Sequence, residues 1–226
     1  MFKRYAVYYT PEAGTPLATF GAAWLGWDSA TGRAMSHPDV TDLDISGITD
    51  TPRKYGFHGT IKPPFRLAQG QSAQTLQDAL AALCANAAPV TLDGLDLARL
   101  GRFLALVPQG DARALADLAA HTVQELDRFR APLTEAELNK RRAARLTPAQ
   151  DAHLVRWGYP YVLDQFRFHL TLSGKLDKQT LERAEKALAP LLSQLDLAPY
   201  PITGLTLLGE DEAGMFHQIQ HYALTG

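Results

Sequence analysis

Hydrophobic and polar positions alternate from the start of the chain: residues 3–9, Lys-Arg-Tyr-Ala-Val-Tyr-Tyr, read as a strand with two unlike faces. Thr15-Pro16 then opens a short helix reaching about Trp24, with proline where a first helical turn tolerates it. From Asp28 to Pro52 the periodicity dissolves into Asp, Thr, Ser, Gly and Pro, which predicts a long irregular segment. Phe57 to Ile61 is strand-like, and Pro63-Pro64 is expected to interrupt ladder pairing before Phe65-Arg66-Leu67 resumes. Residues 72–86 have helical spacing, and Val90–Leu97 and Phe103–Val107 read as strands meeting in a hairpin at Leu100-Gly101-Arg102.

Residues 112–128 form an amphipathic helical pattern, and Thr134 with Glu137 three positions on is a capping box for another helix. A turn at Gly158-Tyr-Pro-Tyr161, a strand over 166–172, a helix over 178–192 and strands over 201–208 and 215–223 complete the pattern. The order strand, helix, strand pair thus occurs twice. It predicts one domain of two repeated halves, roughly 1–130 and 158–226, with a helical insertion between them.

Of the 226 residues, 46% are hydrophobic and 20% charged, enough apolar material for an ordinary globular core. Lys and Arg number 22 against 24 Asp and Glu, a net charge of −2, so no global field draws the chain to nucleic acid or an anionic membrane. The first residues are too short and too interrupted for a secretory h-region, and no stretch approaches the ~20 apolar residues of a membrane helix. Cytoplasmic localisation and a monomer are the default expectations. Cys84, the single cysteine, sits in Ala-Leu-Cys-Ala and reads as a buried structural thiol. The Lys140-Arg141-Arg142 cluster reads as a solvated helix face.

The chemistry-bearing signal is a repeated motif. Tyr55-Gly-Phe-His-Gly-Thr-Ile61 and Phe166-Arg-Phe-His-Leu-Thr-Leu172 share Phe-His-x-Thr followed by an aliphatic residue. Strand alternation puts His58 with Thr60, and His169 with Thr171, on one face, leaving the phenylalanines to anchor the reverse. At neutral pH one imidazole can accept a proton while the other donates one, and hydroxyls can hold non-bridging phosphate oxygens. Phosphoryl chemistry suits that set. No His-Glu-x-x-His or Cys/His run completes a metal site, so neither metal nor cofactor is expected.

These motifs resemble the two-histidine phosphoesterase superfamily, whose signature is a pair of His-x-Thr/Ser motifs, one in each half of a pseudo-symmetric chain. Lys54-Tyr-Gly-Phe-His-Gly-Thr-Ile-Lys-Pro-Pro-Phe65 together with Phe166-Arg-Phe-His-Leu-Thr-Leu-Ser-Gly174 is similar to the uncharacterised, DUF1045-like branch associated with phosphonate-metabolism operons. The resemblance covers nearly the whole chain. His58 and His169 lie farther apart than in small members, which places the insertion between Arg128 and Gly158. What the resemblance implies is an α+β fold of two pseudo-symmetric lobes, each an antiparallel sheet flanked by helices, with the sheets facing across a central groove. It also implies metal-independent opening of a cyclic phosphate on a nucleotide or sugar phosphate, with ribose cyclic phosphate favoured by the phosphonate context.

Two other readings stand beside it: 2′-5′ ligase-like processing of a short RNA end, and a non-catalytic phosphate-binding module. The low net charge weakens the first, and a pure binder has no use for two imidazoles of opposite protonation. The expected catalytic pair is His58 and His169, which of them is acid being open, and Thr60 and Thr171 are the expected phosphate contacts. By parity Lys62 extends the face of His58, Arg167 joins that of His169, and Arg4 and Tyr8 share a face on the groove floor; Tyr55 and Lys54 precede the first motif. Tyr159 and Tyr161 read as packed rings of a rigid turn, His217 as structural, and His37 as a loop residue without a visible partner.

Overall fold

In the computed structural model, which describes residues 2–226, the alternating first run forms β1 (Arg4–Tyr9). Tyr5, Val7 and Tyr9 enter the main core, whereas Ala6 and Tyr8 face the other way into a small cluster with Leu208 and Phe216. One strand thereby separates a helix-covered side from a side left to the motif residues. Helix α1 (Pro16–Leu25) starts at Thr15, whose hydroxyl accepts from the Ala18 amide, and stops at Gly26, with φ of 78°.

The segment expected to be irregular holds a small ribbon, β2 (Trp27–Asp28) with β3 (Arg33–Ala34), and helix α2 (Ile45–Arg53). That helix forms because Asp44 caps the Gly47 amide and because Ile45, Ile48, Thr49 and Pro52 make a buried stripe at helical spacing. Its Ser, Gly, Thr and Pro content hides the stripe from propensity. There follow β4 (Gly59–Phe65), α3 (Ala73–Ala85), β5 (Val90–Leu92), and the hairpin of β6 (Gly94–Leu100) and β7 (Phe103–Gln109). The expected strand 90–97 is split, since β5 leaves the hairpin to pair elsewhere. Helices α4 (Arg113–Glu125), α5 (Glu135–Arg142) and α6 (Pro148–Trp157) come next, the last two opened by complete capping boxes at Thr134 and Thr147. Then come β8 (Leu170–Thr171), α7 (Lys178–Leu192), β9 (Tyr200–Ile202), β10 (Gly204–Glu210) and β11 (Phe216–Ala223).

Seven strands form one antiparallel sheet in the order β11-β10-β1-β4-β8-β7-β6, and β5 pairs with β9 in a ribbon of its own. The fold is α+β, with antiparallel strands flanked by helices. Helix α3 packs on β10 and β11, α4 on β4, and α7 on β7. The sheet comprises two strand groups, β11-β10-β1-β4 and β8-β7-β6. They join edge to edge through a single pair, Gly59 with Leu170. The expected strand 166–172 contracts to β8, because only Leu170 and Thr171 find ladder partners, Leu106 and Ala105, on its other side. Among the described residues no helix is long and apolar enough to cross a membrane.

Both motif phenylalanines are seated on glycines. A Cβ at Gly21 of α1 would stand 2.1 Å from Phe57 Cδ1, and one at Gly59 would stand 2.3 Å from Phe168 Cε2. The second motif's aromatic ring therefore occupies the space where the first motif lacks a side chain.

Strand β4 runs through Pro63 and Pro64 rather than stopping, but its register against β1 slips: Tyr8 pairs with Thr60 and Val7 with Lys62. Ile61 and Lys62 together oppose Val7, a β-bulge that turns Lys62 to the core face. The expectation that Lys62 continues the polar face of His58 and Thr60 is corrected accordingly. Its ammonium donates to the Val123 carbonyl at 3.1 Å, lies 3.7 Å from Asp127 and 5.2 Å from the Phe65 ring centroid. Burial lowers its pKa from 10.5 to about 8, with Asp127 opposing the shift and Arg130 adding to it.

Two outcomes follow. Gly59→Ala must displace Phe168, and is expected to destabilise the fold by roughly 1–3 kcal/mol in denaturant titration; unchanged stability would show that the ring is free to move. Between pH 8 and 10.5 the unfolded chain binds more protons at Lys62 than the folded protein, so stability rises with pH across that window. Lys62→Met should remove that rise and leave neutral-pH stability unchanged or higher by about 1 kcal/mol; a retained rise would locate the titration elsewhere.

Candidate active site

The register at the seam determines what meets what. With Gly59 opposite Leu170, one residue further on either side puts His58 across from Thr171, and Thr60 across from His169. All four point away from the core that takes Leu170 and Phe168. The cavities agree with this register: His58 and Thr171 line one of about 240 Å³, and Thr60 and His169 line another of about 190 Å³. The two motifs thus interleave, each histidine faced by the other motif's threonine.

Each imidazole is held in the same way. His58 Nδ1–H donates to the Gly56 carbonyl at 2.9 Å, and His169 Nδ1–H donates to the Arg167 carbonyl at 2.8 Å. A carbonyl can only accept, so both rings carry their fixed proton on Nδ1 and turn Nε2 to the cleft. His58 Nε2 accepts from the Thr60 hydroxyl at 3.2 Å. Beneath His58 lies Tyr8, stacked at a centroid distance of 3.8 Å and an interplanar angle of 23°. Burial pushes the His58 pKa down from 6.5 to about 4, the Gly56 bond opposing this and the neighbouring His169 adding to it. His58 is therefore a neutral imidazole at pH 7, its Nε2 lone pair turned to the cleft and met there by the Thr60 hydroxyl. Phe103 borders His169 at a centroid distance of 5.8 Å.

The other expected site residues divide. Tyr55 lies 6.0 Å from His58 and 5.2 Å from Phe216, in the wall of the same cavity as His58. Tyr8 is fully buried, and burial holds its hydroxyl well above the usual phenol range, so its contact with the site is the stacked ring. Arg4 shares the face of Tyr8 as parity predicts, but both oxygens of Glu210 engage its guanidinium. Arg167 stays exposed beside His169 and donates to its neighbour's carbonyl, Phe166 O, at 2.7 Å. Lys62 is on the far face. Tyr159 and Tyr161 form an edge-to-face pair at 5.7 Å that borders the cavity of His169.

His217 bonds Asp211 at 2.8 Å, and His37, expected to lack a partner, donates from Nδ1 to the Trp24 carbonyl at 3.1 Å. Cys84 is buried and its thiol is pushed up to about 11, which removes thiolate chemistry near neutral pH. Thr51, Phe103 and Lys175 also line the cavity of His58, and sequence reasoning passed over them. Lys175 directly follows the second motif's Ser-Gly and was open to notice; Thr51 and Phe103 arrive from distant elements and carry no local signal. Among the described residues no group of three or more His, Cys, Asp or Glu is placed to hold a metal ion.

A family described as "Protein of unknown function (DUF1045)" matches residues 60–217. A protein of Janthinobacterium sp. (strain Marseille), named ribose 1,5-bisphosphate phosphokinase PhnN, is 37% identical over 218 residues, covering 93% of this chain and 48% of that protein. A protein of the same name from Laribacter hongkongensis (strain HLHK9) is 35% identical over 213 residues, covering 93% and 49%. The chain spans about half the length of these curated relatives. Among solved structures, E. coli LigT complexed with 3′-AMP aligns over 100% of both chains at 15% identity and a TM-score of 0.47. TT0787 of Thermus thermophilus aligns over 99% of this chain and 98% of its own, at 14% identity and a TM-score of 0.43. With the family match extending over more than half its length, the chain belongs to the DUF1045 family.

Proposed function

We propose that this protein is a phosphodiesterase that opens a cyclic phosphate on a small sugar phosphate or nucleotide by acid–base catalysis between His58 and His169. The observation that carries this reading is the matched pair of imidazoles, each with Nδ1 fixed on a backbone carbonyl and each faced by a threonine of the other motif. Neutral His58 is the base: its Nε2 takes a proton from an attacking water as the new P–O bond forms. His169, in its imidazolium form, is the acid: its Nε2–H protonates the leaving alkoxide as the ring P–O bond breaks. A cyclic diester and water become a monoester with a free hydroxyl. Thr171, and Thr60 once its hydroxyl turns from His58 Nε2 to the bound ester, donate to the non-bridging oxygens, where negative charge builds up in the transition state.

The relatives' name supports a ribose substrate. Opening the 2-O–P bond of a 1,2-cyclic phosphate on ribose 5-phosphate leaves ribose 1,5-bisphosphate, the compound for which those proteins are named.

The test is hydrolysis, with chelator present, of nucleoside 2′,3′-cyclic and ribose 1,2-cyclic phosphates. His58→Ala and His169→Ala should each lower kcat by roughly 10²–10⁴-fold; full activity in either variant would remove that residue from the mechanism. The acid limb of the kcat/KM profile should lie near pH 4, the His58 value, so that activity persists well below the ordinary imidazole pKa of 6.5. A limb near 6.5 would assign the base elsewhere. Tyr8→Leu is expected to lower kcat about tenfold through a looser His58 ring, whereas Tyr8→Phe, which keeps the stacked ring, stays within about threefold of wild type; equal losses would point to the hydroxyl instead.

A further inference from the structure

A cavity of about 540 Å³ adjoins the seam on the side of the insertion, between β4 and helices α5 and α6. It borders both histidine cavities: Tyr55 is a wall shared with that of His58, and Tyr161 and Pro63 are walls shared with that of His169 and Thr60. Its lining is strongly cationic, with Glu137 as the one acidic residue, itself bonded to Arg66 at 2.8 Å. Some of the cations are already compensated, Arg4 by Glu210, and Lys62 and Arg130 by Asp127. Lys54, Lys140 and Arg141 form no ion pair among the described residues.

Three uncompensated positive charges around one small cavity repel one another when it is empty, and a doubly charged anion reverses the sign of that interaction. Basic residues in the last turn of α5 are favoured by the helix dipole alone. The dipole does not explain their direction, however. Arg142 in the same turn faces outward to Asp151 at 2.6 Å, as a solvated face would, while Lys140 and Arg141 line the cavity. Arg141 is steered there by Tyr159, its guanidinium carbon lying 4.6 Å from the ring centroid, and Lys54 is drawn over Tyr55 at 5.0 Å.

We propose that this cavity is a second-phosphate subsite, in which Lys54, Lys140 and Arg141 hold a phosphomonoester carried by the same small substrate whose cyclic phosphate lies between His58 and His169. The assignment of the first phosphate rests on the cyclic-ester reading above. The volume fits a small ligand, and a chain of net charge −2 lacks the broad basic field that a long polyanion needs. The subsite would select against cyclic phosphates that carry no second phosphate.

The experiment pairs the wild type with Lys140→Ala/Arg141→Ala. Helix α5 buries no side chain, so these substitutions leave its packing intact, and a thermal melt checks this. Ribose 1,2-cyclic phosphate with and without a 5-phosphate is assayed as substrate, a 2′,3′-cyclic oligonucleotide is a further arm, and ribose 5-phosphate and ribose are titrated calorimetrically. The wild type is expected to show a KM at least about tenfold lower for the 5-phosphorylated ester. The double variant should lose that advantage through KM, with the unphosphorylated ester turned over within about twofold of wild type, and its affinity for ribose 5-phosphate should fall in parallel. Binding of ribose 5-phosphate needs no chemistry. Its loss in the variant, with no cyclic ester turned over by either protein, would therefore support the subsite and overturn the cyclic-ester reading. Equal affinity for ribose 5-phosphate in both proteins, equal KM for the two esters in the wild type, or a preference for the oligonucleotide would each overturn the subsite.

Discussion

One backbone pair, Gly59 with Leu170, joins the two strand groups, and the position of every motif side chain follows from it. Gly59 has no Cβ, and the Phe168 ring fills its place beside the pair. Phe57 is received in the same manner by Gly21 of α1. The two motifs are therefore braced from the core side by aromatic rings in glycine-lined seats. On the opposite side the seam leaves two histidines and two threonines in cross-strand register.

Burial and charge are divided along this seam. His58 sits over the fully buried Tyr8 and beside Tyr55, both of which pack on Phe216, and burial on this shelf holds its ring neutral. A few residues away, the insertion gathers cations that are left without partners. A neutral imidazole thus stands next to a positive wall. In the proposed reaction an anionic ligand would be attracted to the wall without His58 being protonated to attract it, so affinity and basicity would not compete.

Much of this was legible in the sequence. The repeated Phe-His-x-Thr words pointed to the two histidines and two threonines that meet at the seam, Thr15 and Thr134 marked two helix starts, and Gly101 marked the hairpin. Alternation failed at two places for definite physical reasons. A bulge opposite Val7 reversed Lys62, and no dipeptide in Thr-Ile-Lys-Pro-Pro announces a bulge. Around His169, tertiary partners limited β8 to two residues although the local pattern reads as seven. Helix α2 was hidden by its composition, since its stripe is made of Ile45, Ile48, Thr49 and Pro52 among turn-forming residues. The pairing of His58 with Thr171 lay beyond any local reading, because it depends on a register between strands more than a hundred positions apart.

The bond from each imidazole to the carbonyl two residues upstream closes a small ring within a single tripeptide, Gly56 to His58 in one case and Arg167 to His169 in the other. The tautomer is thereby specified by a word three residues long and not by a distant carboxylate that must be inherited with it. The segment between residues 128 and 158 supplies no partner to either Nδ1, so substitutions there leave both tautomers as they are.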